Sequence, residues 1–499
     1  MSTSSDNSVD DTPISSFFRH PTGILLTDLD KARFDKEIPL LEHQVRYFNE
    51  QIPLLVSRRD QVTLSLAKRR SALALVWHLP PDVLREIFSQ VAADHDSLDL
   101  SGGAWTLGQV CALWRDLVLD TPLVWSRLTL KGVYTSQSLQ VLAEYLRRSR
   151  NCPLHIRGTF IVHPQSASVD LFEAVFEMLI KSSPRWKFVC FVIPAEFLKH
   201  LSALCGKMPL LEEARIHLCT YCRDNPDGVE WRHLFSNIPS LRKMSLDGPM
   251  LSEQMLTWNH VTHFAGNVVR PGDIRTIFKL PALVECHLRC YGFLDDSLQS
   301  PIRHNRVKYL AVNATRVLAV LMLPSLKHLE IDEQYERNER VYAEAMSAFM
   351  DRSSSHLRSL SMTCRSFRTR LRQPYYTQMV EDFAITIHTS ATLVAMFSSN
   401  RCDLFPKLRR LRIRLSRGVY LSKDVLLLVN FIRERLDEAK SVALGVEKLD
   451  KVYISSPVPS HLDKFRKCGF DEFEIGVLTV EQQLHYLDPP WFDRAIVAD

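Results

Sequence analysis

A chain of 499 residues, 46% hydrophobic and 24% charged, has the make-up of a globular protein with about two to four domains. Its net charge of +5 is mild for that length and does not by itself argue for nucleic acid, whose binders concentrate basic residues on one face. Eleven cysteines, odd in number and scattered, do not form a disulfide framework and point to reduced thiols, hence to the cytoplasm and/or the nucleus.

The polar, acidic start from Met1 to Asp11 is no secretory signal. The longest apolar run, Val425 to Ile432, is interrupted by Asn430 and falls far short of the roughly 20 residues of a membrane helix. A soluble protein with neither membrane nor nucleic-acid partner is expected. Residues 1–26 are rich in Ser, Asp and Thr and read as a disordered leader. Residues 27–75 read as a helical segment. Ile38, Leu41, Val45, Phe48, Ile52, Leu55, Val62, Leu66 and Leu73 mark a heptad seam, broken by Arg59 and Arg69 at core positions. Pro53 should kink or split this helix. Two outcomes fit: a coiled coil with weak self-association through 38–73, or a short hairpin folded on the next domain.

Between Leu79 and Leu128 the pattern changes. Pro80 and Pro81 suit a helix start, and Val83, Leu84, Ile87, Phe88 and Val91 fall on one side of the helix that follows. After the Ser101-Gly102-Gly103 loop a second helix carries Leu107, Val110, Cys111, Trp114, Leu117 and Val118. Thr121-Pro122 then caps a third, holding Leu123, Trp125 and Leu128. So small a unit has more large apolar groups than it can bury alone, which calls for a partner.

These residues resemble the F-box family. Its marks are matched by Leu79-Pro80, Ile87-Phe88, Val110-Cys111-Ala112-Leu113-Trp114 and Pro122-Leu123-Val124-Trp125, with a long stretch between Phe88 and Leu107 as the departure. The helical lead-in is similar to that of the expanded F-box families of mushroom-forming fungi. The resemblance implies docking of residues 76–130 on the Skp-type adaptor of a cullin–RING ligase. Leu79, Pro80, Leu84, Ile87, Trp114, Leu123 and Trp125 would then lie at or support the contact.

From 131 to 480 a unit L-x-x-L-x-I recurs. Its clearest copies are Leu241/Met244/Leu246, Leu283/Cys286/Leu288, Leu326/Leu329/Ile331, Leu357/Leu360/Met362 and Leu408/Leu411/Ile413, and Ile385-x-Ile387 is a fragment. Helical segments fill the gaps, as at Leu139 to Arg148 and Val425 to Leu436. One strand and one helix per repeat resembles a degenerate leucine-rich repeat. The expected fold is therefore an α/β solenoid: an N-terminal helical segment, a three-helix F-box, then a repeat horseshoe with a curved parallel sheet, and a tail at 481–499.

Strand alternation turns the residues between the leucines outward, onto the concave side. There His287, Arg289 and Tyr309, an acidic pair at Glu330 and Asp332, and a basic trio at Arg410, Arg412 and Arg414 are the substrate-binding candidates. Mixed charge suits a protein substrate. Three guanidiniums on one strand repel each other unless an acidic group meets them.

Catalytic and metal patterns are weak. Cys219-Thr220-Tyr221-Cys222, with Cys286-His287-x-x-Cys290, lacks regular spacing, and Gly103-x-x-x-x-Gly108 is followed by Gln109 rather than Lys. No cofactor, metal or catalytic residue is expected. The reading is an adaptor without enzyme activity, or alternatively a repeat scaffold without a ligase role.

Overall fold

The computed structural model describes residues 28–477 apart from 132–133, 161–168, 195–196, 219–234, 236, 248–257, 269–270, 291–300, 334–338, 354–356, 365–377, 390–393, 395–396, 398–404, 417–424, 457, 459–462, 464 and 466–473. The leader (1–26) and the tail (481–499) lie outside this set. The chain divides into two compact units, 1–83 and 84–499.

The first unit is dominated by α1, Asp28–Ala72, one helix of 45 residues that runs through both Pro39 and Pro53. A 3-10 turn, Leu75–His78, follows. The expected split at Pro53, and with it the hairpin, is corrected. Each proline removes one backbone donor, and in so long a helix the remaining ladder carries the segment across that gap. Both prolines also sit off the heptad seam, where the ring meets solvent.

Helix α2, Pro81–Ala93, leads into the second unit, which continues with α3 (Gly103–Val110), α4 (Ala112–Asp120) and a 3-10 turn at Pro122–Trp125. Two of the three expected helices are therefore corrected. The second is two helices, because Cys111 adopts extended backbone (φ −159°, ψ 173°) between them. Its sulfur accepts from the Trp114 amide at 3.4 Å, so the thiol caps the new helix start. The third is a single 3-10 turn, since the chain enters strand β1 (Arg127–Leu130) immediately after it.

From β1 onward fourteen strands form one sheet, every neighbouring pair parallel and in chain order; β8 (Ile302–Arg303) and β10 (Leu321–Met322) pair separately. Nine of the fourteen carry the site described below: β4 Glu213–Leu218, β5 Lys243–Asp247, β6 His263–Val268, β7 Glu285–Cys290, β9 Tyr309–Val312, β11 His328–Glu333, β12 Ser359–Cys364, β13 Asp382–Ile387 and β14 Arg410–Leu415. Helices stand between several of the strands in chain order, among them α5 (Ser136–Arg148), α6 (Val169–Lys181), α7 (Leu198–Ser202), α8 (Pro271–Ile277), α9 (Glu339–Ser353) and α10 (Val425–Leu436). This is an α/β solenoid.

Its core is a set of ladders. Leu329, Leu360, Phe383, Leu411 and Val452 stand in register on five successive strands, and all are buried. No repeat can shelter its leucines alone, so each neighbour supplies the missing wall. Strands β6 and β13 are among those that the repeat pattern missed or misframed. In β6 the third apolar position is Gly266, where an added Cβ would lie 2.9 Å from the Phe264 ring. In β13 (Asp382–Ile387) the unit is Val380/Phe383/Ile385, two residues earlier than the expected fragment.

Candidate protein-binding surfaces

Helix α2 is apolar on more than one side. Leu84 and Phe88 are buried in the second unit, with the Phe88 ring 4.7 Å from Trp114. Ile87 and Val91, one turn apart, are exposed. Between Ile87 and Leu123 seven large apolar side chains are exposed: those two with Leu100, Val110, Leu113, Leu119 and Leu123. In all the described residues after Leu130 there are six, namely Leu210, Met379, Val394, Leu426, Val442 and Leu444. Unsheltered apolar surface in this unit is thus concentrated in under a tenth of its length, which is the mark of a surface that another chain covers.

The sequence-derived candidates separate accordingly. Ile87 and Leu123 are exposed, Pro80 is exposed, and Leu79 and Trp114 are half-buried. Leu84 and Trp125 are buried and hold the helices from within. Trp125 Nε1 donates to the Val118 carbonyl at 2.8 Å, closing the last turn onto α4.

The second surface is the sheet face between the leucine ladders. Strand register sets its residues in rows. One row reads Glu285, Tyr309, His328, Ser359, Asp382, Arg410; the next reads His287, Ala311, Glu330, Ser361, Ala384, Arg412. Small side chains at Ala311, Ser361 and Ala384 leave room for the long ones beside them. The Tyr309 ring is stacked with His287 (4.9 Å) and with His328 (6.1 Å), and its hydroxyl donates to Glu330 Oε2 at 2.5 Å. His287 Nε2 lies 2.8 Å from Glu285 Oε1. His287 and Asp332 are buried here by their row neighbours, where alternation alone had turned them outward to solvent. Arg289 bears on Asp247: burial opposes that carboxyl's charge, but His217, Asn267 and Arg289 outweigh it and hold its pKa below the usual range.

Two of the basic trio do meet an acidic group, one from their own sheet. Asp382 on β13 accepts from Arg412 Nη2 at 3.1 Å and lies 3.6 Å from Arg410 Nη2. Sequence reasoning missed this residue because the repeat was framed two residues too late. Both guanidinium groups remain half-exposed. Arg414, further along β14, is half-buried.

Glu330 is a carboxylate whose charge is costly to hold. Burial, with Asp332 adding to it against Tyr309 and Arg412, pushes its pKa from 4.5 to about 7. Unfolded, the carboxyl ionises first, so stability is lost as pH rises from about 4.5 through 7. Wild-type protein should lose on the order of 2 kcal/mol by this route between pH 5 and 8. Glu330→Gln, which keeps an acceptor for Tyr309, should flatten that part of the curve. Equal pH slopes of the two melting curves would contradict the assignment.

Cys286 and Cys290 are both buried, and burial raises the thiol pKa of each, to about 12 for Cys290. Such thiols stay protonated and inert. Cys219 and Cys222 lie outside the described residues. Among the described residues no group of three or more His, Cys, Asp or Glu could hold a metal, and no helix is long and apolar enough to cross a membrane.

Residues 76–131 match the F-box-like family model. That span coincides with the apolar segment just described. No curated protein matches the chain. Among solved structures, the crystal structure of a Bacteroides fragilis protein is similar over 53% of this chain and 82% of its own, at 14% identity and a TM-score of 0.32.

Proposed function

We propose that this chain is the substrate-recognition adaptor of an SCF-type (cullin–RING) ubiquitin ligase. Its F-box-like segment docks on a Skp-type adaptor and through it a cullin, while the row face of the sheet holds a protein substrate. The carrying observation is the concentration of exposed apolar side chains within the residues that match the F-box-like model. Ile87, Val110, Leu113 and Leu123 supply the contact, Leu79 and Pro80 extend it, and Leu84 and Trp125 keep the helices in place.

The protein contributes no catalytic residue. It raises the effective concentration of substrate near the ligase's conjugating enzyme, in the cytoplasm or nucleus. On the substrate side Tyr309 and Glu330 offer a hydrogen-bonding centre above the buried Asp332, and Arg410, Arg412 and Arg414 a basic flank, a pattern that specifies a partner by polar complementarity.

Co-purification with a Skp-type adaptor tests this. Native chain should retain it. Ile87→Arg/Leu113→Arg, and separately Leu79→Ala/Pro80→Ala, should reduce recovery by roughly tenfold or more, as expected for removing central interface anchors. Folded variants that recover the adaptor as well as native chain would refute the docking site. A native chain that recovers none would leave a repeat scaffold without a ligase role.

A further inference from the structure

Helix α1 belongs to the first unit, 1–83. Ile38, Leu41, Val45, Phe48, Ile52, Leu55, Val62 and Leu66 are all exposed, so its apolar seam is left uncovered along the helix. Pro39 and Pro53 occupy the same outer heptad position, away from the seam, and both lie inside the unbroken helix. The seam is ready for a helix; its charges say which one.

Charge is divided along the helix. Residues 28–50 carry Asp28, Asp30, Asp35, Glu37, Glu42 and Glu50 against Lys31, Arg33, Lys36 and Arg46, a net of −2. Residues 51–72 carry Arg58, Arg59, Lys68, Arg69 and Arg70 against Asp60, a net of +4. Two of those arginines, 59 and 69, sit on the seam itself. In a parallel pair each would face its own counterpart across the core, where like charges repel most and hydrate least. Turned antiparallel, the basic half of one helix lies along the acidic half of the other.

We propose that α1 pairs with α1 of a second copy of this chain as an antiparallel coiled coil. The two helices overlap fully when residue i faces residue 100 − i, because α1 spans 28 to 72. That register also matches the seam to itself. Ile38 meets Val62 of the second copy, Val45 meets Leu55, and Phe48 meets Ile52. Arg59 comes level with Leu41, between Glu37 and Glu42, while Arg69 comes level with Lys31, among Asp28, Asp30 and Asp35. Arg59 now holds Asp60 at 2.7 Å and Arg33 holds Glu37 at 2.7 Å, all largely exposed pairs that cost little to rearrange. The resulting rod is about 68 Å long, and the two chains leave it at opposite ends. The pairing does not depend on the ligase reading.

Light scattering of the full chain should give twice the 57.5 kDa chain mass. Phe48→Glu/Ile52→Glu should return it to monomer while leaving the melting of the second unit unchanged. Orientation is read by cross-linking under oxidised glutathione, with native chain as background for its own thiols. Differently tagged Val45→Cys and Leu55→Cys chains should cross-link when mixed, and neither should cross-link alone. A monomer at tens of micromolar, or cross-linking of each variant with itself, overturns the proposal.

Discussion

Trp125→Ala should destabilise the second unit by about 3–5 kcal/mol, the cost of emptying a large, well-packed aromatic site. The indole is 1% exposed and donates to the Val118 carbonyl at 2.8 Å. It meets Trp105 and Tyr145 edge-on, at 5.2 and 4.9 Å between ring centres, and the Arg148 guanidinium lies 4.5 Å from its ring centre. Arg148 is itself steered by Glu144 at 2.6 Å; the hydrogen bonds from Arg147 and then Arg148 hold that carboxyl down at about 2 despite partial burial. One substitution therefore loosens α4, α5 and the turn into β1 together. Leu123→Ala, two residues away but exposed, should shift stability by less than about 0.5 kcal/mol. Urea or thermal midpoints compare the pair directly. Similar small losses for both would mean that the tryptophan is not the pin that joins helices to solenoid.

The second large effect is expected at Arg435, fully buried near the end of α10. Its Nη2 donates to the carbonyls of Phe405 (3.0 Å) and Leu408 (3.2 Å), the turn that launches β14. Its own carbonyl accepts from the Leu449 amide at 2.8 Å, just before β15 (Lys451–Ser456). One residue thus ties a helix to two consecutive strand entries. Arg435→Met preserves much of the volume and strips the charged donor, leaving two buried carbonyls short; about 2–4 kcal/mol should be lost. In a solenoid each repeat leans only on its neighbours, so the loss should stay local. Hydrogen exchange should speed up in β13–β15 and not in β2 (Leu154–Thr159) or β3 (Trp186–Ile193). Uniform protection across the sheet in the variant would count against that role.

Both effects rest on side chains whose importance is only partly written in the sequence. Trp125 was legible because Pro-x-x-Trp is a pattern, but the pattern could not say which way the indole turns. Arg435 gave no sign at all. In a row of charged residues at a helix end an arginine reads as solvated, and only the approach of the 405–408 turn makes it a buried tie. Asp382 was hidden by the reading frame: with Phe383 standing where leucine was sought, the strand registered two residues late. Gly266 concealed β6 for a simpler reason. A strand without its third large apolar residue looks like loop until Phe264 is seen filling the space from next door.

What the chain order by itself determined is the kind of structure: apolar spacing of two residues against three and four separates strands from helices, and its recurrence dictates stacking, since no single unit can bury its own leucines. The mixed polarity of the row face and the four F-box marks were legible at the same level, because spacing and residue type are local properties. Tertiary structure alone decided where each helix begins and breaks, as at Cys111, and which apolar residues stay outside. It also decided that Asp382 answers Arg410 and Arg412, and that Glu330 is buried enough to hold its proton near neutrality. Those outcomes depend on distances between residues tens of positions apart, and such distances exist only once neighbouring strands have fallen into register.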